Sequence, residues 1–323
     1  MALQTGRRTV AVLLGVMIFG FVFSLGGVRP AAATHIPCPA SLGAGNHVLD
    51  GNLGCNPGTG GAVVTLLAGA HLNLNGFTVS CGNGASGIGI RVTGTGVHIN
   101  NGHVHGCGAG ILLSLGGFHH LNGLHVDGNI CCGAGGSGDG IVLILSNDNL
   151  INGNTVSFNQ AIGVHLVSSS RNQLNTMIIR SNEGPPTCGG VAFFAHSNNN
   201  VISSSDISDN GDFGVFIDFT SNGNTVRSST VVGTNFFGFP TPGIEVFGSG
   251  NTIRGNTASG NGVGILVFGT SNLIQSNTAL ANVFVDLDDV NPGCDGNTWK
   301  SNTFVTDLVA GVPDGGPGVG CIQ

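Results

Sequence analysis

The stretch Asn251-Thr-Ile-Arg-Gly-Asn-Thr-Ala-Ser-Gly-Asn261 is followed by a second copy of the same frame, Asn272-Leu-Ile-Gln-Ser-Asn-Thr-Ala-Leu-Ala-Asn282. In both copies apolar residues alternate with polar ones, the period of two that is typical of a half-buried strand. Asn recurs between the apolar positions, and Asn tolerates the left-handed backbone conformation that a tight corner needs. Each copy therefore predicts short strands joined by Asn corners.

A second motif precedes these frames and recurs along most of the chain. It consists of Gly, an aliphatic residue, any residue and another apolar residue. Its glycines are Gly89, Gly110, Gly140, Gly163, Gly190, Gly214, Gly243 and Gly264. Each repeat therefore contains three short strands, with inward positions such as Ile244, Val246, Ile253 and Ala258.

Three strands cannot bury a core alone, but coils stacked about 4.8 Å apart can. The uneven repeat lengths exclude the six-residue period of a left-handed β-helix. The sequence therefore predicts an all-β fold, a right-handed parallel β-helix (solenoid) of about nine to ten three-stranded coils.

The amino terminus has the features of a signal peptide. Arg7 and Arg8 precede an apolar run, and Ala31-Ala32-Ala33 supplies the small residues that a signal peptidase cuts. We therefore expect a signal peptide at 1–33, an N-terminal cap at 34–61, the β-helix at 62–304 and a C-terminal tail at 305–323. The protein would be exported: secreted, periplasmic or on the cell surface. An uncleaved segment would instead be a membrane anchor, because 9–28 is long enough to span a bilayer.

Composition and charge exclude several classes of protein. Charged residues make up 8% of the chain, too few for a charged disordered chain or a coiled coil. The formal net charge is -7 and the one Lys is Lys300, so no basic patch is present to bind nucleic acid. All nine Cys follow the expected cleavage site, which favours disulfides with one thiol left over. We expect the pairs Cys38–Cys55 and Cys294–Cys321.

The Asn frames at 251–261 and 272–282, together with Leu72-Asn-Leu-Asn-Gly-Phe-Thr-Val, resemble the right-handed parallel β-helix repeats of bacterial exported proteins. The resemblance runs from about Val63 to Phe304. The group contains NosD-like periplasmic proteins and many carbohydrate-binding and sugar-hydrolase modules. The resemblance thus implies one of two functions: binding or acting on a polysaccharide along an outward sheet face, or a non-catalytic envelope protein that is structural or handles copper or another metal in the NosD manner.

The sequence departs from the known enzymes of this fold. It contains no Asp-Pro-His-Asp run like that of the alginate epimerases. It also lacks the Asn-Thr-Asp, Asp-Asp and Gly-His-Gly set of the polygalacturonases. Whether the protein is an enzyme is therefore left open by its motifs; if it is one, the resemblance implies a polysaccharide hydrolase or lyase.

Candidate substrate-binding and catalytic residues follow from the outward positions of the Gly-motif strands. The outward aromatic residues are Phe194, Phe216, Phe247 and Phe268. Such an apolar stripe suits stacking against sugar rings, a partner surface, or a face covered by a loop. Asp218 and Glu245 fall on adjacent coils with backbones about 8 Å apart, so they could act as general acid and base, assisted by His165. The alternative is that these are ordinary solvated acids.

A candidate metal site follows from the aligned runs Asn101-Gly-His-Val-His-Gly and Asn122-Gly-Leu-His-Val-Asp-Gly. The alignment places His103 over His125 and His105 over Asp127, one coil apart. Imidazoles at this spacing can converge on one Cu or Zn ion, with Asp127 as an oxygen ligand. The alternative is a stack of polar side chains that binds no metal.

Overall fold

The computed structural model describes residues 35–82, 86–131, 137–184, 188–234 and 240–323. The expected signal peptide at 1–33 lies outside these residues. Within the described ranges, no helix is long and apolar enough to cross a membrane. These residues form one compact unit, and the one helical turn among them is the 3₁₀ segment Pro292–Cys294.

Parallel strands stack into three sheets. The first sheet carries the Gly motif and has thirteen strands. These are Ala40–Leu42, Ala62–Leu66, Ile88–Val92, Ala109–Ser114, Ile141–Ile144, Ile162–Val167, Gly189–Phe194, Phe213–Ile217, Pro242–Val246, Val263–Val267, Val285–Asp289, Asp307–Val309 and Val312–Pro313. All neighbours pair in parallel except the last two strands, which pair antiparallel.

The second and third sheets share two long strands, His98–His105 and His120–Asp127. The first half of each strand pairs in the second sheet, and the second half pairs in the third. The other strands of the second sheet are Gly45–Val48, Ala70–Asn73, Leu150–Asn152, Gln173–Asn175, Val201–Ser203, Thr225–Arg227, Thr252–Arg254, Leu273–Gln275 and Thr298–Lys300. The other strands of the third are Leu53–Cys55, Thr78–Cys81, Thr155–Ser157, Ile178–Arg180, Asp206–Ser208, Thr230–Val232 and Thr257–Ser259.

The register keeps equivalent residues above one another from coil to coil. Ile244 pairs with Ile265, and Ile253 with Ile274, and all four side chains are fully buried. Such columns of aliphatic side chains fill the space between the three sheets, so hydrophobic burial is distributed evenly along the solenoid. The predicted parallel β-helix, with about ten coils, is confirmed.

The solenoid extends beyond the boundaries expected from the sequence. Strand Ala40–Leu42 pairs in parallel with Ala62–Leu66, and Leu53–Cys55 pairs with Thr78–Cys81. The segment expected as a cap therefore contains a further coil, because its strands continue all three sheets. The segment expected as a tail likewise adds Asp307–Val309 to the first sheet.

The motif glycines lie close to the backbone of the next coil. A Cβ on Gly214 would lie 2.5 Å from the carbonyl oxygen of Gly243 and would overlap Cγ1 of Val231. Gly110 repeats this geometry against the carbonyl of Gly140. A side chain at these positions would push adjacent coils apart, which is why the motif begins with Gly.

Three columns of buried Asn close the corners. One of these columns lies in the corner before the second sheet. There the backbone N–H of the corner residue in one coil donates to the side-chain oxygen of the equivalent Asn in the next coil. The bond from Asn200 to Asn224 is 2.8 Å and the bond from Asn224 to Asn251 is 2.8 Å. The residues of this ladder are His119, Asn149, Asn172, Asn200, Asn224, Asn251, Asn272 and Asn297. The buried corner amides are thereby satisfied along the axis.

His119 takes the place of Asn at the start of this ladder. Its Nδ1 accepts the N–H of Val97 at 3.2 Å, and the side chain is fully buried. Burial lowers the pKa of His119 to about 4, an effect that the carbonyl of Leu115 offsets only in part. The neutral imidazole is therefore the form that the fold accommodates.

We expect the stability of the protein to fall between pH 7 and pH 4 because of His119. His119 takes up a proton near pH 6.5 in the unfolded chain but only near pH 4 in the folded chain. The free energy of unfolding is therefore about 3 kcal/mol lower at pH 4 than at pH 7. His119→Asn keeps an acceptor for Val97 and removes the titration. Urea unfolding of both proteins at the two pH values measures the difference, and an equal pH dependence in the two would contradict the assignment.

Disulfides join residues near both ends of the described chain. Cys38–Cys55 and Cys294–Cys321 are bonded as expected, and Cys81–Cys107 is a further bridge. The expectation of one leftover thiol stays a prediction, because Cys132 lies outside the described residues.

Candidate functional site

The outer face of the first sheet carries a continuous row of aromatic side chains, here called the Phe row: Phe194, Phe216, Phe247 and Phe268. Successive ring centroids are 5.1, 5.6 and 4.2 Å apart, and the last two rings are parallel. The first three rings are half-buried and Phe268 is 36% exposed. The structure thus brings the four predicted residues together with part of each ring accessible.

A small apolar cluster supports one end of the row. Phe213, Ile162 and Ala192 are buried on the outer side of the first sheet, and Phe194 and Phe216 pack against them. The row therefore rests on fixed side chains instead of projecting freely into solvent, which lowers the entropy that a ligand would have to remove.

A cleft of about 310 Å³ continues from this row across the preceding coils. Leu112, Val142 and Val167 line it, with His165 and Asp139 as polar groups. His165 Nδ1 lies 3.2 Å from Asp139 Oδ2, and the His165 ring meets Phe194 edge-on at 5.3 Å. An apolar cleft with few polar groups is typical of a ligand site.

Asp139 was not predicted. It directly precedes motif Gly140, and its other carboxylate oxygen accepts the N–H of Ile162 at 3.0 Å. An acidic residue immediately before a motif glycine is the sequence signal that could have identified it. The aspartate fixes the orientation of the His165 ring, so the pair forms one unit.

Glu245 lies on the same outer face, between Phe216 and Leu266 in the register. Burial among these side chains raises the pKa of Glu245 from 4.5 to about 7. Asp288 pairs with Leu266 from the other side and was not predicted as a site residue. Burial, and then the charge of Asp289, raise the pKa of Asp288 to about 6.

Asp218 does not face outward as expected. The strand ends at Ile217, and Asp218 is buried in the corner that follows. Its carboxylate accepts the N–H of Ala195 at 2.8 Å and the N–H of Thr220 at 3.0 Å. The carboxylate of Asp218 caps the corner instead of facing outward, so the expected pairing with Glu245 on the outer face is wrong.

The third sheet holds the second predicted group, the His–Asp cluster: His103, His105, His125 and Asp127. The register places His103 beside His125 and His105 beside Asp127. Asp127 Oδ1 lies 2.8 Å from His103 Nε2 and 2.5 Å from His105 Nδ1, and Asp127 Oδ2 lies 3.2 Å from His125 Nε2. Three imidazoles therefore converge on one carboxylate.

The charges of this cluster are coupled. Partial burial acts to raise the pKa of Asp127, but hydrogen bonds from His105 and His103 outweigh it, and the net pKa lies below its ordinary value. Burial lowers the pKa of His125, and the nearby Asp127 only partly opposes this. A carboxylate and a neutral imidazole are the protonation states that metal ligands require.

A second stack of imidazoles occupies the second sheet. His71, His98 and His120 pair in register, with ring centroids 4.2 and 4.5 Å apart. Among the residues that the structure describes, this stack has no carboxylate partner. It shows that aligned histidines alone do not form the geometry seen around Asp127.

Comparison with protein families identifies one match. A family model described as the right-handed beta helix region matches residues 119–284. The match covers the whole Phe row, part of the cleft lining and part of the His–Asp cluster. No curated protein matches the chain.

Solved structures with the same fold include proteins that act on polysaccharides. The A-module of mannuronan C-5 epimerase AlgE6 from Azotobacter vinelandii has a TM-score of 0.60 and 16% identity, over 84% of this chain and 86% of that one. The Dettilon tailspike protein has a TM-score of 0.57 and 16% identity, over 84% of this chain and 62% of that one. The periplasmic alginate epimerase AlgG has a TM-score of 0.54 and 13% identity, over 84% of this chain and 67% of that one. At these identities the likeness concerns the fold alone.

Proposed function

Because the chain belongs to the right-handed β-helix family, we propose that it is an exported protein that binds a polysaccharide along the outer face of its first sheet. The observation that carries the proposal is the Phe row. Its rings follow one another at 5.1, 5.6 and 4.2 Å, and they run into the cleft beside His165. The apolar face of a sugar ring packs against an aromatic ring, and a row of rings suits successive sugars of a chain.

Export has its own support. Three disulfides favour an oxidising compartment outside the cytoplasm. One structural neighbour is described as periplasmic, and another is described as a tailspike protein.

The charges near the Phe row favour a neutral polysaccharide over a polyuronate. The four strands from Gly189–Phe194 to Val263–Val267, which contain or directly precede the rings of the row, contain Glu245 and no Lys or Arg. A uronate carboxylate on this face would meet another acid and no compensating cation, and the charge would have to be desolvated. The polar groups that a neutral sugar would meet are Glu245 and the His165–Asp139 pair, each of which can form hydrogen bonds with hydroxyl groups.

The proposal is tested with a panel of neutral glycans and polyuronates, followed by calorimetry on the best ligand. We expect a neutral oligosaccharide to bind, and Phe247→Ala and Phe268→Ala each to weaken its affinity by about 30-fold, the effect of removing an aromatic hot spot worth about 2 kcal/mol. Phe158→Ala is the matched control, because Phe158 is 60% exposed and lies outside the row.

Each other outcome overturns a defined part of the proposal. Binding that survives both row variants would remove the site from this face. Preference for polyuronates would overturn the neutral class of ligand. No binding across the panel by the folded protein would overturn the function itself.

A further inference from the structure

We propose that His103, His125 and Asp127 form a binding site for one divalent transition-metal ion on the outer side of the third sheet, with His105 as a positioning residue. The ligand atoms of these three residues all lie within 4.8 Å of one another. Among the described residues this is the one such group of His, Cys, Asp and Glu. It lies on a different sheet from the proposed glycan face and does not depend on it.

The distances suit a single ion after small side-chain movements. Zinc binds nitrogen and carboxylate oxygen at about 2.0–2.2 Å, so adjacent ligand atoms in a tetrahedral site are about 3.3 Å apart. His103 Nε2 and His125 Nε2 already lie 2.8 and 3.2 Å from the two oxygens of Asp127. The imidazoles are 31% and 47% exposed, so their rings are free to turn toward a common centre.

The backbone beneath the ligands is held rigidly. His103 and His125 are cross-strand neighbours in a parallel ladder that continues on both sides, to Thr78 and to Thr155. The disulfide Cys81–Cys107 joins the His103 coil to the preceding coil just beyond His105. Ligands fixed on sheet strands lose less entropy on binding than ligands on loops.

His105 acts on the site through Asp127. It was predicted as a ligand, but it falls outside the group whose ligand atoms converge. Its Nδ1 lies 2.5 Å from Asp127 Oδ1, so it holds the carboxylate in place. Partners of this kind orient metal ligands and raise affinity about 10–100-fold.

The donor set selects the class of ion. Two imidazole nitrogens and one carboxylate oxygen suit Zn²⁺ and Cu²⁺, whereas Ca²⁺ and Mg²⁺ require mostly oxygen ligands. With three protein ligands on an exposed surface, a water molecule would complete the coordination. The order of affinities for first-row ions places Cu²⁺ above Zn²⁺ at such a site.

The test is calorimetric titration of the purified protein, after chelator treatment, with Zn²⁺, Cu²⁺, Ca²⁺ and Mg²⁺ separately. We expect one Zn²⁺ or Cu²⁺ per chain and no Ca²⁺ or Mg²⁺ binding. The double variant His103→Ala/His125→Ala should lose at least 100-fold in affinity. His105→Ala should keep the stoichiometry and lose about 10-fold, because it removes an orienting partner and no ligand.

The matched control is His98→Ala/His120→Ala, which removes an equally stacked pair with no carboxylate and should leave affinity unchanged. The electron paramagnetic resonance spectrum of bound Cu²⁺ is a second readout. Nitrogen hyperfine lines should appear in the wild type and be absent from the ligand variant, whose circular dichroism should match that of the wild type. The site would be overturned if the control variant lost as much metal affinity as the ligand variant, or if the ligand variant kept its affinity. It would also be overturned if Ca²⁺ bound as tightly as Zn²⁺ or Cu²⁺, or if the protein took up no metal.

Discussion

Asn200→Leu is expected to destabilise the protein by about 3–5 kcal/mol. Asn200 is fully buried, and its side-chain oxygen accepts the N–H of Asn172 at 2.8 Å and the amide of the same residue at 3.0 Å. Its own amide donates to the carbonyl of Ser169 at 3.0 Å. Leucine has a similar size but leaves these groups unpaired in the interior, and each unpaired group costs about 1–3 kcal/mol.

Asn222→Leu is the control for this change. Asn222 lies near the same corner and also hydrogen-bonds, to Ser249 at 2.7 Å, but it is exposed, so water can replace the lost partner. Denaturant unfolding followed by circular dichroism compares the two variants. Equal, small effects would mean that the buried Asn column does not contribute to stability through its hydrogen bonds.

Gly214→Ala is expected to lower the free energy of unfolding by about 3 kcal/mol or more. The added Cβ would lie 2.5 Å from the carbonyl oxygen of Gly243 and would overlap Val231. A side-chain neighbour could move, but the carbonyl belongs to the next coil, so relief requires separating strands that are paired along the whole sheet.

Gly51→Ala provides the comparison, since nothing lies within 4 Å of a Cβ at Gly51 and its φ is not positive. We expect that variant to unfold with nearly wild-type free energy. If Gly214→Ala is equally stable in the same urea titration, the contact between coils is not what the motif glycine protects.

Much of the fold was predictable because the corner and strand residues repeat. The Asn frames at 251–261 and 272–282 mark corners in the structure as they do in the sequence. The ends were less predictable, because the coil at 40–55 lacks the Gly motif and is recognised only by its pairing with the next coil. Cys81–Cys107 was missed because sequence spacing does not specify connectivity.

The site was predicted in part. The Phe row and the His–Asp cluster follow from strand alternation and coil alignment, which the structure preserves. Asp218 was misplaced because an aspartate that caps a corner has the same spacing as one that faces outward. The raised pKa of Glu245 depends on burial, which the sequence does not specify.

The Asn columns bear on how such a chain changes length in evolution. Asn251 and Asn272 present equivalent oxygens to the preceding coil, at 2.8 Å in each case. If 252–272 were lost as a unit, Asn251 would meet the coil that begins at Asn297 instead, through the same type of bond. Duplication or loss of whole coils can therefore lengthen or shorten the molecule without inventing new corners, and each event would add or remove one strand of the first sheet.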